Sequence, residues 1–392
     1  MKKLTVRDLE FKDKKVIMRV DFNVPLTEER KVADSTRIKM ALPTIRYILE
    51  KRAKKLILMS HLGRPKGKVV DSLRLDPVRE KLEELLEEKV EKLNDCVGEE
   101  VKRQIEISDK RVILLENLRF HPEEEKGEEE FAKKLAELGE IYVNDAFGAA
   151  HRAHASTTTI AKFLPSGIGL LMEKEINYLT QALNPSHPYI IILGGAKVSD
   201  KIGIVENLID KADKLLIGGA LAYTFLKSEG IKVGNSKIEE DKLELAKKIL
   251  QQAREKNVEI VLPIDHLVVK EISRPETKEI VEVIPEGFMG VDIGPKTVNL
   301  FKESLQQAKT VLWNGPVGIF ENPHYAEGTK EIALFLAELP NTTVIAGGGD
   351  TANCAKEFNV VDKLSHISTG GGACLEFLEG KELPGIMAIK DK

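Results

Sequence analysis

The sequence predicts an α/β protein built from two doubly wound parallel-sheet domains. Short runs rich in Val, Ile and Leu recur along its 392 residues without alternating polar and apolar positions, which is typical of parallel strands covered on both faces. Amphipathic helical patterns separate these runs, so strand and helix alternate. The runs are more numerous than one sheet needs, and the chain length itself favours two or three domains.

The first strand is predicted over residues 16–20, and a helix is expected to begin at Thr36. Further strands are predicted over 56–59, 112–115, 141–143, Tyr189–Leu193, 215–217, 260–262, 310–313 and Thr343–Ala346. A helix is predicted over 80–93, because its apolar residues share one face. These residues are Leu82, Leu85, Leu86, Val90 and Leu93.

A break near the middle of the chain separates the two predicted domains. Residues 163–169 interrupt the pattern, a helix is predicted over Leu170–Leu183, and prolines within 184–188 precede the next strand. We therefore expect an N-terminal domain over 1–168, a connecting helix over 169–184 and a second domain over 185–368.

Composition excludes several classes of function. Lys and Arg number 59 against 63 Asp and Glu, a net charge of −4, which argues against binding nucleic acid or a membrane surface. The 3 cysteines are too few and scattered for a disulfide framework or a paired-cysteine zinc site, so a reducing compartment is expected. The amino terminus lacks the apolar core of a signal peptide, and no apolar run anywhere is long enough for a membrane helix. A cytoplasmic protein is expected.

Basic residues follow the predicted strands of the first half. In open α/β sheets, ligands bind outside the carboxyl ends of the strands. The segments at that place are 21–23, 60–65, 116–119 and 144–154, and Arg37 follows the first of them. Arginine forks and histidine donors match carboxylate and phosphate oxygens. These segments predict a site for a small polyanion, although any single arginine could equally form a surface salt bridge.

Glycine-rich turns follow the predicted strands of the second half, at 194–201, 218–220, 314–318, 347–351 and 368–373. Without side chains, backbone N–H groups can approach phosphate oxygens, and a helix N-terminus adds its dipole. Lys197 and Lys201 are four residues apart and, where the helix has begun, are expected on the same side of it. Asp350 is placed to reach a nucleotide-bound Mg²⁺. The GxxxxGK[ST], GxGxxG, HRD, DFG, GxSxG and HExxH motifs are absent from the sequence.

Taken together, these segments resemble the phosphoglycerate kinases. The matching motifs are RVDFNVP at 19–25, SHLGRP at 60–65, ENLRF at 116–120, NDAFG at 144–148, HRAH at 151–154, GGAKVSDK at 194–201, WNGP at 313–316, GGGDT at 347–351 and STGGG at 368–372. They occur in order from end to end of the chain. Ser35 and Ala149 depart from the family pattern, and neither departure removes a charged contact.

The resemblance implies two doubly wound domains joined by a long helix, with a cleft and a hinge between them. Residues 369–392 would form a hinge and a C-terminal segment that returns to the first domain. The implied reaction is reversible phosphoryl transfer between 1,3-bisphosphoglycerate and ADP, giving 3-phosphoglycerate and ATP, with Mg²⁺ on the nucleotide. Its carboxylate acceptor is already ionised at neutral pH, so no general base is needed. Domain closure is expected, because the reacting atoms must meet.

The resemblance also assigns roles to matching positions. The phosphoglycerate is expected at Asp21, Asn23, Arg37, His61, Arg64, Arg119 and Arg152. The nucleotide is expected at Lys201, Gly290, Asn314, Pro316, Glu321, Gly348, Gly349, Asp350 and Thr351, with its Mg²⁺ at Asp350. The catalytic group is expected to comprise Arg37, Lys197, Gly371 and Gly372, with Lys197 on the moving phosphoryl group and Arg37 on the acceptor carboxylate.

Two other functions stay open at this point. A hinged binding protein that traps a sugar phosphate would need neither Lys197 nor Asp350. A nicotinamide-dependent dehydrogenase would need the GxGxxG motif that the sequence lacks. A purely structural protein is disfavoured, because so many cations at strand ends would repel one another without a ligand. A monomer is expected, because the surface-facing helix stripes are charged.

Overall fold

The computed structural model describes residues 2–392 and divides the chain into two units. Unit 1 runs up to Asn177 and includes Glu382–Lys392, and unit 2 comprises Tyr178–Lys381. The strands are β1 (Lys15–Arg19), β2 (Lys55–Met59), β3 (Val90–Lys92), β4 (Val112–Leu114), β5 (Ile141–Asn144), β6 (Ser166–Ile168), β7 (Tyr189–Leu193), β8 (Lys214–Ile217), β9 (Glu259–Val261), β10 (His266–Val269), β11 (Glu279–Val281), β12 (Met289–Ile293), β13 (Thr310–Asn314), β14 (Thr343–Ala346) and β15 (His366–Ile367). The helices are α1 (Thr36–Glu50), α2 (Asp76–Leu86), α3 (Glu99–Ile107), α4 (Pro122–Lys126), α5 (Glu129–Ala136), α6 (Leu170–Leu183), α7 (Ile202–Leu208), α8 (Leu221–Ser228), α9 (Leu243–Glu255), α10 (Pro295–Leu305), α11 (Glu327–Glu338), α12 (Gly349–Glu357), α13 (Gly372–Leu378) and α14 (Pro384–Met387).

Unit 1 is built on a six-stranded parallel sheet with the order β3-β4-β2-β1-β5-β6. Ile17 of β1 lies between Ile57 of β2 and Tyr142 of β5, and all three residues are fully buried. Helix α1 packs Ile38 and Ile45 into the core on this sheet. Because β2 and β5 lie on opposite sides of β1, the strand order reverses there. The loops after β1 and β5 then diverge, which leaves room for a ligand.

Unit 2 contains a second six-stranded parallel sheet with the order β15-β14-β13-β7-β8-β9. The strand order reverses between β7 and β13, which are neighbours in the sheet. Trp313 of β13 is fully buried in the core with Ile192 and Phe301, and its Nε1 donates to the Gly315 carbonyl at 3.0 Å. The tryptophan therefore supports the turn that follows β13. These two sheets confirm the predicted α/β class.

A small antiparallel sheet in unit 2, with the order β11-β10-β12, was not predicted from the sequence. Its strand β11 is short and largely exposed, so it lacks the continuous apolar character of the parallel strands. The pairing of β10 with β12 is also irregular between Leu267 and Val268. This sheet brings Gly290 of β12 close to Tyr223 of α8.

Several boundaries agree with the sequence predictions and others do not. Strands β7 and β14 and helix α6 have the predicted bounds. The helix predicted over 80–93 was wrong beyond Leu86, because α2 ends there, Glu87 adopts a left-handed conformation (φ 58°), and Val90 begins β3. Helix α7 begins only at Ile202. Lys197 and Lys201 both precede this helix, so the helix face that they would share if the helix had begun does not form. The short strands β6 and β15 were not predicted.

The two ends of the chain meet within unit 1. Lys3 Nζ donates to the Ile389 carbonyl at 2.8 Å and pairs with Asp391 at 2.9 Å. The N–H of Leu4 donates to the Lys390 carbonyl at 2.9 Å. None of the helices in residues 2–392 combines the length and the apolar character needed to span a bilayer.

Candidate active site

The carboxyl ends of the unit 1 strands collect the residues that were expected to hold an anion. Asp21 and Asn23 follow β1, His61 and Arg64 follow β2, Arg119 follows β4 and Arg152 follows β5, while Arg37 lies in the first turn of α1. These ends share one edge, because the strands are parallel. We call this set of residues the arginine edge: Asp21, Asn23, Arg37, His61, Arg64, Arg119 and Arg152.

Asp21 holds Arg37 in place within the arginine edge. Arg37 Nη1 lies 2.6 Å from Asp21 Oδ2, and the two side chains are 33% and 10% exposed. The Asn23 side chain links the same corner to the loop after β2, because its Oδ1 accepts from the Gly63 N–H at 2.9 Å. The pairing with Asp21 occupies one nitrogen of the Arg37 fork. Among residues 2–392, the other nitrogens have no hydrogen-bond partner and are available for a carboxylate.

Asn117 fixes the loops after β2 and β4 relative to each other. Its buried side chain accepts from the N–H groups of Leu62 and Arg119, both at 3.2 Å. It also donates to the carbonyls of Leu62 at 2.8 Å and Leu73 at 2.9 Å. This amide uses both its donor and its acceptor capacity on backbone groups. Arg119 is thereby presented from a rigid loop.

Arg119 is a buried guanidinium with unused donors. Its side chain is 2% exposed, and Nη1 donates to the Gly63 carbonyl at 2.9 Å. Within residues 2–392, Nε and Nη2 have no hydrogen-bond partner, although Glu125 lies 3.3 Å from Nε. Burial lowers the pKa of Arg119 to about 10, so the group is charged at neutral pH. A buried charge whose donors have no partner destabilises the folded protein unless an anion binds to it.

His61 lies among the arginines. Burial lowers its pKa well below the usual value, and the charges of Arg19, Arg119, Arg37 and Arg152 lower it further. His61 is therefore neutral at physiological pH, and four cations act on one small region. Arg152 is half-buried and donates from Nε to His151 at 3.1 Å.

Arg64 is the most exposed member of the arginine edge. It lies in the loop after β2, three residues beyond His61, and within residues 2–392 it makes no ion pair. Its place in the site rests on this loop position and not on contacts with the other members. The structure thus connects Asp21, Asn23 and Arg37 by hydrogen bonds and leaves Arg64 at the rim.

In unit 2, the turns after β7 and β13 cross where the strand order reverses. The N–H of Gly194 donates to the Asn314 carbonyl and that of Gly195 to the Pro316 carbonyl, both at 2.9 Å. A Cβ on Gly315, whose φ is 104°, would lie 2.3 Å from the Gly194 carbonyl oxygen. Only glycines allow this close approach. We call the loops 194–201, 218–220, 314–318 and 347–351 the glycine edge.

Lys201 and Asn314 meet at the glycine edge. Lys201 Nζ donates to Asn314 Oδ1, and Asn314 Nδ2 donates to the Gly347 carbonyl at 2.7 Å. Burial lowers the pKa of Lys201, while the carboxylates of Asp200 and Asp350 raise it. The lysine is thus held beside the loop that leads into α12.

Helix α12 presents free N–H groups at the glycine edge. Its first intrahelical bond runs from Ala352 N to Gly348 O at 3.1 Å, so the N–H groups of Gly349, Asp350 and Thr351 precede it, as at any helix start. The Thr351 hydroxyl is already occupied, because it accepts from the Gly315 N–H at 2.8 Å and donates to the Gly347 carbonyl at 2.7 Å. Any phosphate contact of Thr351 therefore falls to its backbone N–H. The exposed carboxylate of Asp350 lies in the same turn.

A cavity of about 360 Å³ opens at the glycine edge. It is lined by Tyr223 and by four residues that the sequence analysis expected to bind the nucleotide, which are Gly290, Pro316, Glu321 and Asp350. A Cβ on Gly290 would lie 2.0 Å from Tyr223 Oη, so glycine is required for this wall. The sequence-predicted residues that do not line the cavity are Lys197, Lys201, Asn314, Gly348, Gly349, Thr351, Gly371 and Gly372.

The remaining predicted residues occupy loops. Lys197 is exposed between β7 and α7, and its loop is pinned by Glu239, which accepts from Ser199 Oγ at 2.6 Å. Gly371 precedes α13 with φ 52°, and Gly372 is the first residue of that helix. Apart from Gly371 itself and its two chain neighbours, the described residues place no heavy atom within 4 Å of a Cβ built on Gly371.

Comparison with known proteins decides the family. The family model described as phosphoglycerate kinase matches residues 6–381. The curated phosphoglycerate kinase of Pseudothermotoga lettingae is 55% identical over the full length of both chains, and that of Dictyoglomus turgidum is 54% identical over 99% of this chain and 98% of its own. The chain belongs to the phosphoglycerate kinase family. It is therefore a phosphotransferase of glycolysis with a carboxyl group as acceptor.

Solved structures of the family have the same fold. The phosphoglycerate kinase from Coxiella burnetii matches with a TM-score of 0.89 at 39% identity, and that from Pyrococcus horikoshii with 0.84 at 33% identity. In both comparisons the match covers 98% of each chain. The family assignment confirms the resemblance seen in the sequence motifs.

Sequence reasoning missed residues that support the site of this family member. Arg19 is fully buried at the end of β1 and contacts His61, yet it was taken only as part of a motif. The signal was available, because Arg19 directly follows the apolar residues Val16, Ile17 and Met18 of β1. Tyr223 and Glu239 had no such signal, since their contacts depend on how distant segments pack.

Proposed function

We propose that the arginine edge binds 3-phosphoglycerate or 1,3-bisphosphoglycerate and that the glycine edge binds ADP or ATP with Mg²⁺. The observation that carries this assignment is Arg119, a buried cation with two nitrogens that have no hydrogen-bond partner in residues 2–392. Such a group is stabilised by an anion with several oxygens. Phosphoglycerate carries two anionic groups, and the arginine edge offers more than one guanidinium to meet them.

In this proposal, the two ends of the phosphoglycerate have different partners. Arg37 takes the carboxylate, because Asp21 orients its fork at 2.6 Å and leaves its other nitrogens available. The Asp21 carboxylate accepts from the hydroxyl between the two anionic groups, and the Asn23 amide accepts from it or donates to it. The phosphate falls to the remaining members of the arginine edge, which are His61, Arg64, Arg119 and Arg152.

The nucleotide is held mainly by backbone groups. The start of α12 supplies N–H groups from Gly349, Asp350 and Thr351 to phosphate oxygens. Lys201 adds a positive charge beside them, and Gly348, Asn314 and Pro316 shape the loops. Gly290 and Glu321 border the cavity of about 360 Å³, with Glu321 toward the ribose hydroxyls.

Asp350 fits a nucleotide-bound Mg²⁺. Its carboxylate is exposed, lines the cavity and lies in the first turn of α12, and Mg²⁺ prefers oxygen ligands. When bound, the ion neutralises charge on the nucleotide phosphates. The protein contributes one carboxylate, which agrees with an ion that arrives on its nucleotide.

Transfer itself needs positioning and positive charge. The acceptor carboxylate is ionised at neutral pH, so the site requires no general base. Lys197, Arg37 and the N–H groups of Gly371 and Gly372 stabilise the charge on the equatorial oxygens of the moving group. The reacting atoms must approach within ~3–3.5 Å. We propose that binding of both substrates drives closure, with a hinge in the segment 369–392.

Two further properties belong to the same proposal. The enzyme acts as a monomer, since each unit holds a complete substrate-binding edge of its own. It acts in the cytoplasm, which agrees with its glycolytic family and with the buried free thiols of Cys96, Cys354 and Cys374.

A coupled assay tests the reaction and the metal. ATP consumption is expected to require both 3-phosphoglycerate and Mg²⁺, and to fall to background when either is omitted. As a matched pair of variants, Asp350→Asn is expected to raise the Mg²⁺ requirement, whereas Asp200→Asn, an exposed carboxylate in the neighbouring loop, is expected to leave it unchanged. Equal effects of the two substitutions would remove the metal role of Asp350.

A further inference from the structure

Arg19 lies at the centre of a buried chain of contacts behind the arginine edge. It is fully buried, and its guanidinium is directed by three contacts. Nε donates to Ser156 Oγ at 2.9 Å, Nη2 lies 3.0 Å from His61 Nδ1, and Nη1 donates to the Val20 carbonyl. Each of its terminal nitrogens therefore has a defined partner.

The other end of this chain is a buried carboxylate. Ser156 Oγ donates to Glu124 Oε1 at 2.6 Å, and the Ser156 N–H donates to Oε2 at 3.0 Å. Glu124 and Ser156 are both fully buried. The Ser156 hydroxyl thus lies between Arg19 and Glu124 and links them by two hydrogen bonds. Burial raises the pKa of Glu124, and the charge of Arg19 opposes this by favouring the carboxylate. With Nε on Ser156, Nη2 of Arg19 is directed to His61.

The contact with Arg19 determines which nitrogen of His61 carries the proton. A guanidinium has donors only, so Nδ1 of His61 must accept and has no proton of its own. Burial, together with the charges of the four surrounding arginines, lowers the pKa of His61 and favours the neutral ring. A neutral imidazole without a proton on Nδ1 has its proton on Nε2. Within residues 2–392, Nε2 makes no hydrogen bond and is left free to donate.

We propose that Arg19 is a positioning residue, held by the Ser156–Glu124 pair, that fixes His61 as the Nε2–H tautomer and so makes His61 an obligatory donor to the bound anion. This inference rests on the proposed function of the arginine edge. In the opposite tautomer, the Nε2 lone pair would face the anion and repel it. The charge of Arg19 therefore acts indirectly, through the ring, and not by contact with the substrate.

Nitrogen NMR of the complete protein tests the tautomer directly. Among the 8 histidines of a sample labelled with ¹⁵N-histidine, the His61 signals are identified as those absent from His61→Gln. In the ligand-free protein we expect an unprotonated Nδ1 and a protonated Nε2. A protonated Nδ1 would overturn the proposal, whatever the enzyme binds. This measurement needs no variant at Arg19, whose replacement could prevent folding.

Ser156→Ala tests the bridge. Without the hydroxyl, Arg19 is free to turn to Glu124, and a second His61 tautomer is expected in the spectrum. The KM for 3-phosphoglycerate should rise about tenfold, the usual effect of losing a hydrogen bond to a charged group, while kcat changes less than about twofold. The matched control is Tyr142→Phe, which removes the contact between Tyr142 Oη and the Ser156 carbonyl at 2.8 Å but leaves the Ser156 hydroxyl in place.

The outcomes separate the inference from the proposed function. A changed tautomer and a raised KM in Ser156→Ala, with both unchanged in Tyr142→Phe, support the positioning role. An unchanged tautomer in a folded Ser156→Ala would overturn it. If the wild-type protein shows the Nε2–H tautomer but fails to bind 3-phosphoglycerate, the assignment of the arginine edge fails while the His61 tautomer stands.

Discussion

Replacing Arg119 by methionine should increase the free energy of unfolding of the ligand-free protein and raise the KM for 3-phosphoglycerate. The pKa of Arg119 is lowered from 12.5 to about 10, which corresponds to roughly 3 kcal/mol of unfavourable burial at ~1.4 kcal/mol per pH unit. Solvent at the open edge screens part of this cost, and the contact with the Gly63 carbonyl is lost, so we expect a net gain of ~1–2 kcal/mol in the free energy of unfolding. Methionine keeps most of the apolar stem.

The catalytic consequence of Arg119→Met has the opposite sign. Loss of charged hydrogen bonds to the anion should raise the KM for 3-phosphoglycerate by ~10–100-fold, with little change in the KM for ATP. Calorimetry measures the unfolding temperature, and the coupled assay measures both KM values. The control is Arg103→Met, an exposed arginine paired with Glu100, for which both quantities should stay nearly constant.

One result would refute the reasoning about Arg119. If Arg119→Met lowers the unfolding temperature and leaves the KM for 3-phosphoglycerate unchanged, the residue is a structural arginine whose charge is compensated within the protein. Glu125, 3.3 Å from Nε, would then be its true partner.

Three further predictions follow from the structure. Lys197→Ala should lower kcat by ~10²–10³ and change both KM values much less, because we propose that the lysine stabilises the moving phosphoryl group; a change in KM alone would contradict this role. Gly290→Ala should raise the KM for ADP at least about tenfold and leave the KM for 1,3-bisphosphoglycerate unchanged, since the added Cβ would lie 2.0 Å from Tyr223 Oη. The same KM for ADP in the variant and the wild type would contradict this prediction and show that Tyr223 moves aside. Burial raises the pKa of Asp292 to about 8, so the folded state keeps a proton that the unfolded state releases near 3.8. The free energy of unfolding therefore falls by up to ~1.4 kcal/mol per pH unit as the pH rises from about 4 to about 8. Asp292→Asn should raise the unfolding temperature at pH 7.5 more than at pH 5, and equal shifts at the two pH values would contradict the raised pKa.

The parallel sheets could be predicted because their strands are apolar on both faces. Strand β7, YIIIL, has no polar position that could face solvent, and the sheet environment alone accounts for its pattern. Helix α6 could also be predicted, since loops with glycine or proline flank it. These elements depend on local composition, which a single sequence displays.

The missed elements depend on contacts that a single sequence does not display. Val90 has the spacing of the α2 face, but Glu87 turns the chain with a left-handed conformation, and β3 forms only because it pairs with β4. Strand β15 consists of His366 and Ile367 and exists through its pairing with β14. Tertiary pairing overrides local periodicity at both places.

The charged residues of the candidate site could be predicted from the sequence, but the residues that hold them in place could not. Arginines and glycines at strand ends identified both edges, because the topology of parallel sheets places those ends together. The role of Arg19 required the positions of Ser156 and Glu124, which lie far away in the sequence. The occupied hydroxyl of Thr351 likewise became visible only in the folded chain.

The most direct test of the two-edge assignment is calorimetric titration of each substrate into two variants. Arg119→Met should lose most of its affinity for 3-phosphoglycerate and bind MgADP like the wild type. Lys201→Met should show the reverse pattern. If either variant loses affinity for both substrates equally while remaining folded, the separation of the phosphoglycerate and nucleotide sites onto the two edges is contradicted.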